Sequence, residues 1–305
     1  MIDINNKPQV VFLLGPTGVG KTDLSIKLAK QFDGEIISAD SVQIFKEFDI
    51  GSAKVTQEEM AGVTHYGIDI VSPKEEFSVS EFVDYTKNKI QEILSHNKLP
   101  IIVGGTALYV KSLVEGYNFG GTEKHQEFRD NLEKEISEKG LESVYQRLQS
   151  LAPEIAQKTD GKNKVRVIRA LEILQYGTEK TKENSVEYDY KIFALTMPRE
   201  LLYQRINKRA EIMVSRGLVE EVDKLYGKYG KCQPMRAIGY KEVVPYLKGE
   251  ISLEEMTSII SQHTRNYAKR QLTFLRGMQD VNFVDVAQEN EKERIFKEIE
   301  KWLRK

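Results

Sequence analysis

Gly15-Pro16-Thr17-Gly18-Val19-Gly20-Lys21-Thr22 decides the fold. It follows the apolar run Val10-Val11-Phe12-Leu13-Leu14 and leads into the helix-like Asp23-Leu24-Ser25-Ile26-Lys27-Leu28-Ala29-Lys30. G-x-x-x-x-G-K-[ST] between a strand and a helix is the phosphate-binding P-loop. Its glycines let successive backbone N–H groups turn inward as a nest for phosphate oxygens. The helix that begins there adds its positive dipole end. Lys21 supplies a point charge to the outer phosphate, and the Thr22 hydroxyl is placed to reach Mg²⁺ or a phosphate oxygen. The segment predicts a phosphorylated or pyrophosphorylated ligand.

Working outward, Val10–Leu14, Glu35–Ala39, Tyr66–Val71 and Pro100–Val103 read as strands, with amphipathic helices around 22–32 and 79–96 between them. That alternation predicts an α/β fold: a P-loop NTPase-like parallel sheet with flanking helices, binding ligands at the strands' carboxyl ends. Lys191–Thr196 and Val281–Val286 are further strand candidates. From about 120 to 190 the apolar residues Phe128, Leu132, Ile136, Leu141, Val144, Tyr145 and Leu148 fall at helical spacing, with no strand-like run. The expected organisation is a catalytic core of residues 1–119 and 191–305, interrupted by a helical insertion domain at 120–190. Helical patterns continue through 199–216, 217–228, 239–247 and 252–278.

With 40% hydrophobic and 30% charged residues, the 305-residue chain has the composition of a soluble globular protein. A single cysteine, Cys232, excludes an internal disulfide framework and fits a reducing compartment. Met1–Lys7 has neither a basic start nor an apolar stretch, so no signal peptide is expected. No apolar run approaches the ~18 residues of a membrane span. These features predict a cytoplasmic protein with no membrane partner.

Several constellations carry chemistry. Asp40 ends the strand next in sequence to the P-loop helix, on the sheet edge that faces the phosphate. A carboxylate there suits a Mg²⁺ ligand, a general base or a turn cap. Ser41 and Gln43 extend the polar cluster, and Gln can pair with an adenine edge. At the end of the 100–103 strand, where a P-loop ATPase often carries a magnesium-holding acid, stand Gly104-Gly105-Thr106. Arg205, Arg209 and Arg216 share one helical face, as a diphosphate clamp or a solvated stripe. Thr264–Arg276 holds four cations, Arg265, Lys269, Arg270 and Arg276, without an acid, which suits a nucleic-acid backbone. Arg166 and Arg169 form a further basic pair.

Together these segments resemble the tRNA dimethylallyltransferase (tRNA isopentenyltransferase) family, in the family's order and over nearly the whole chain. The resemblance rests on Gly15–Thr22, Ser38-Ala39-Asp40-Ser41-Val42-Gln43-Ile44-Phe45 and Asp49-Ile50-Gly51-Ser52-Ala53-Lys54. It continues through Gly104-Gly105-Thr106-Ala107-Leu108-Tyr109, Arg166-Val167-Ile168-Arg169-Ala170-Leu171-Glu172, Ala237-Ile238-Gly239-Tyr240-Lys241-Glu242 and Thr264–Arg276. It implies transfer of a dimethylallyl group from dimethylallyl diphosphate to N6 of the adenosine at position 37, beside the tRNA anticodon. The P-loop, Gly15 to Thr22 including Pro16, Thr17, Gly18, Val19 and Gly20, would then cradle diphosphate rather than ATP. Lys21, Thr22, Arg205, Arg209 and Mg²⁺ would stabilise the departing diphosphate, with Asp40 accepting the N6 proton. Asp40, Ser41, Val42, Gln43 and Thr106 would meet the nucleoside. Val165, Arg166, Val167, Ile168 and Arg169, with Arg265, Lys269, Arg270 and Arg276, would contact the anticodon stem-loop. A monomer is expected. Phe45 stands where the family usually has tyrosine, Ser52 where threonine is common and Phe274 where tryptophan is common, and Val165 replaces a polar residue. The rival readings are a P-loop small-molecule kinase holding ATP, an isopentenyltransferase of free adenine nucleotides, and a nucleotide-switched RNA-binding protein.

Overall fold

The computed structural model describes residues 7–115, 125–177 and 188–304. The expected boundary at 119/120 and the N-terminal Met1–Asn6 lie outside them. Six described strands form one parallel sheet: β1 (Gln9–Leu14), β2 (Gly34–Ala39), β3 (His65–Tyr66), β4 (Leu99–Gly104), β5 (Asp189–Thr196) and β6 (Val281–Asp285). Their order is β3-β2-β4-β1-β5-β6. Val, Phe and Leu fill β1 after Gln9 because both of its faces are covered, the signature of a parallel strand. Register aligns the strand ends: Leu14 pairs with Gly104 and with Ala194, and Ala39 pairs with Gly104. Gly15, Asp40 and Gly105 therefore leave the sheet side by side, where the strand order switches around β1.

Of the expected strand over Tyr66–Val71 only Tyr66 is extended, as the second residue of β3. The backbone crosses into the left-handed region at Gly67 (φ 77°) and Asp69 (φ 55°), which no strand tolerates. Residues 69–71 instead bond to the 43–46 loop, with Ile70 and Val71 N–H groups both donating to the Ile44 carbonyl.

The helices are α1 (Lys21–Gln31), α2 (Gln57–Met60), α3 (Val79–Ser95), α4 (Ala107–Val114), α5 (Gln126–Lys139), α6 (Leu141–Leu151), α7 (Pro153–Lys158) and α8 (Lys164–Tyr176). They continue with α9 (Arg199–Ser215), α10 (Leu218–Tyr229), α11 (Val243–Leu247), α12 (Leu253–Arg276) and α13 (Glu289–Leu303). Capping boxes start α3 (Ser78, Glu81) and α12 (Ser252, Glu255). By contrast α1 begins at Gly20 (φ 99°) with no side-chain cap, leaving its first N–H groups for an anion. Helices α2, α4 and α13 were not expected. The first two are short, and α13 buries only Ile295, Ile299 and Trp302 among many charges.

The chain divides into two compact units, Met1–Gly116 with Ser185–Lys305, and Tyr117–Asn184. In the first, Val11, Leu13, Val19, Leu28, Ile101, Leu195 and Ile206 pack around the sheet. A second cluster, with Phe45, Phe48, Leu218, Tyr240 and Met256, underlies the loop after β2. The other unit has its own core of Leu132, Val144, Leu148, Val167, Ile168 and Leu171. No helix among the described residues is long and apolar enough to cross a membrane.

Candidate active site

The P-loop is pinned from below by Val19, buried in the sheet's core. Lys21 folds over it, its Nζ donating to the Gly15 and Pro16 carbonyls at 3.0 and 2.8 Å. Burial pulls the Lys21 pKa down to about 8; nearby Arg209 pushes the same way and Asp40 opposes both. Arg209 is itself drawn below its ordinary value by burial, again opposed by Asp40. Two cations and one carboxylate thus converge beside the loop. Arg205, one turn earlier on α9, brings a guanidinium nitrogen to within 3.9 Å of where a Gly20 side chain would begin. Arg216 is exposed at the far end of α9, at its C-cap.

Asp40 immediately follows β2. Its Oδ1 accepts from the Val42 and Gln43 N–H groups at 2.8 and 3.2 Å, holding the turn and fixing the carboxylate's orientation. Across the sheet edge, the Thr106 N–H donates to the Ala39 carbonyl at 3.3 Å. On α12, the Tyr267 phenol has its pKa pushed up to about 12 by burial first and by Asp40 next. Burial first, and Asp40 next, also raise Tyr109. Two protonated phenols therefore flank the carboxylate. Sequence reading passed over both Tyr267 and the buried Gln271, which sit among the cations that dominate their segment.

A family model described as "IPP transferase" matches residues 43–278. The chain is 46% identical over 301 residues to the tRNA dimethylallyltransferase of Bacillus anthracis, covering 96% of each. Its fold is similar to that of the tRNA isopentenylpyrophosphate transferase of Bacillus halodurans, with TM-score 0.73, 40% identity and 96% of each chain covered. It is also similar to a eukaryotic dimethylallyltransferase acting on tRNA, with TM-score 0.78 and 30% identity over 91% of this chain and 74% of the other. This chain belongs to the IPP transferase family.

The family's Asp49–Lys54 segment is bound internally rather than turned toward a ligand. Glu221 accepts from the Asp49, Ile50 and Gly51 N–H groups at 3.2, 2.8 and 3.0 Å, and from the Tyr240 hydroxyl at 2.9 Å. Lys54 Nζ pairs with Asp49 and Asp69 at 2.6 and 2.5 Å. Gln43 is spent in the same way. Its Nε2 donates to the Ser52 and Ala53 carbonyls, and its Oε1 accepts from Ser38 Oγ. The Gln43 amide thus holds this loop together. Of the departures from the IPP transferase pattern, Phe45 is wholly buried among apolar side chains, where a hydroxyl would need a partner. Ser52 Oγ donates to the Phe48 carbonyl at 2.6 Å.

On α12, Lys269, Arg270 and Arg276 are exposed. Arg265 is not equivalent to them: its Nη1 donates to Asn207 Oδ1 at 2.6 Å and its guanidinium lies over Tyr203. In the Tyr117–Asn184 unit, Val165 and Arg166 are exposed, but Val167 and Ile168 are buried in that unit's core. Helical periodicity turns these two side chains inward and leaves Val165 and Arg166 on the exposed face. Arg169 and Arg129 both pair with buried Glu172, at 2.5 and 2.7 Å. The two guanidinium groups outweigh its burial and hold its pKa down at about 2.

Proposed function

We propose that this chain transfers the dimethylallyl group of dimethylallyl diphosphate to N6 of the adenosine at position 37 of tRNA, in the cytoplasm. One observation carries the reading: the P-loop lysine and Arg209 share the Asp40 carboxylate as neighbour, while β4 ends at Gly104 and is followed by Gly105 and Thr106 rather than a magnesium-holding acid. In the reaction the allylic carbon–oxygen bond breaks as the bond from N6 forms. Diphosphate departs into the loop amides, Lys21 and Arg209, with Arg205 at the rim. Charge developing on its bridging oxygen is met by groups already oriented, so little reorganisation is needed. Asp40 takes the N6 proton, held in place by the turn it caps. Thr106, at the start of α4, orients the nucleoside. The base leaves the anticodon-loop stack to reach this edge.

Magnesium fits as a passenger of the diphosphate. No group of three or more His, Cys, Asp or Glu side chains among the described residues could hold an ion unaided. Thr22, exposed on the first turn of α1, offers a hydroxyl, and Mg²⁺ commonly takes most of its ligands from water and phosphate. Bound there, it would neutralise charge on the leaving group. The tRNA backbone is met by Lys269, Arg270 and Arg276, and by Arg166 beside exposed Val165.

Incubation with dimethylallyl diphosphate, Mg²⁺ and unmodified tRNA, followed by nucleoside mass analysis, tests this. A dimethylallyl mass gain on adenosine, absent with ATP alone, is expected. Equal gain on free adenosine monophosphate would make tRNA dispensable. ATP-driven phosphoryl transfer to a small acceptor would replace the reading with a kinase.

A further inference from the structure

Gln271 is buried on α12, yet both ends of its amide are used on loops far away in sequence. Its Oε1 accepts from the Thr17 N–H of the P-loop at 3.2 Å. Its Nε2 donates to the Gly105 carbonyl, beside Thr106, at 2.9 Å. One helical turn earlier on α12 stands Tyr267, whose phenol is raised by burial and by Asp40. Gly105 leaves room for this bridge: a Cβ there would lie 2.2 Å from Gln271 Nε2. A single amide therefore spans the loop that would hold the leaving group and the loop that would hold the nucleophile's nucleoside.

We propose that Gln271 is a positioning residue that sets the P-loop and the Thr106 loop at the separation in-line transfer requires. The inference rests on the prenyl-transfer reading above. A glutamine suits the task because it offers a donor and an acceptor at opposite corners of one rigid plane, with no charge to repel diphosphate. Losing it frees the two loops to drift relative to one another. A misplacement of about 1 Å costs on the order of a hundredfold in rate. Diphosphate affinity should survive, because the freed Thr17 N–H turns to the phosphate.

The test uses Gln271→Met, which keeps the volume and removes both bonds, together with Gly105→Ala and the double variant. At saturating dimethylallyl diphosphate and tRNA, Gln271→Met is expected to lower kcat by at least about tenfold. Its pyrophosphate affinity by calorimetry is expected to stay within about threefold of the wild type. Gly105→Ala should reproduce this split by displacing the amide, and the double variant should be no worse than the more impaired single. A Gln271→Met kcat within about twofold of wild type, with or without a lower Tm, overturns the proposal. So do losses that multiply in the double variant, or a pyrophosphate affinity that falls in step with kcat. A wild-type enzyme that binds pyrophosphate yet leaves tRNA unmodified would instead overturn the prenyl-transfer reading itself.

Discussion

Lys21 is half-buried against the Gly15 and Pro16 carbonyls, with its pKa down at about 8 from 10.5. Because the folded value lies below the unfolded one, the unfolded chain binds more protons between those pH values. This group therefore makes the ligand-free protein more stable as pH rises through that interval. Diphosphate reverses the preference, since an anion stabilises the ammonium, so binding above about pH 8 takes up a proton. The ratio of wild-type to Lys21→Met pyrophosphate affinity should be constant below about pH 7 and fall by up to about tenfold per unit above pH 8. Taking the ratio cancels the ligand's own titration, and a flat ratio to high pH would remove Lys21 from the phosphate site. For Asp40, the informative change is Asp40→Asn, which keeps an acceptor for the Val42 and Gln43 N–H groups and removes the base. A kcat loss of about 10²–10⁴ is expected, with pyrophosphate binding nearly unchanged. Near-normal turnover would exclude Asp40 as proton acceptor.

Helix α12 shows how an element sorts residues that sequence spacing groups together. Arg265, Lys269 and Arg276 share a face by angle, but α9 covers only the Arg265 end, where Asn207 and Tyr203 wait. Removing Lys269 and Arg276 together should flatten the salt dependence of tRNA binding by about one slope unit per lost phosphate contact. Arg265→Ala should leave that slope alone and lower stability by about 1–2 kcal/mol in urea unfolding, since Asn207 loses its partner. Equal slopes for both would mean that the exposed cations face solvent alone. Strands were legible where β-branched and aromatic runs were continuous, as in β1 and β4. Tyr66–Val71 misled because its apolar residues serve the neighbouring loop, and only the left-handed backbone at Gly67 and Asp69 reveals the turn.

At the scale of the molecule, each unit closes its own core, so each should report on separate chemistry. Replacing residues 117–184 by a short Gly/Ser linker should leave pyrophosphate affinity within about threefold, while weakening tRNA binding. Calorimetry and tRNA titration measure the two, and a parallel loss of both would show that the phosphate site needs the excised unit. The sequence alone determined the strand–P-loop–helix start, the α/β class and the helical character of the 126–176 stretch. Those features rest on local geometry and short-period burial, which act over a few residues. Only the tertiary structure decided that Gln43 holds a loop, that Arg209 rather than Arg216 joins Lys21 and Asp40, and that Val167 and Ile168 are core. It alone joined Gln271 to Thr17 across 254 residues and Glu221 to the Gly51 N–H across 170. Periodicity says that a face exists; which distant polar group completes a buried amide or carboxylate depends on the packing that brings the two together.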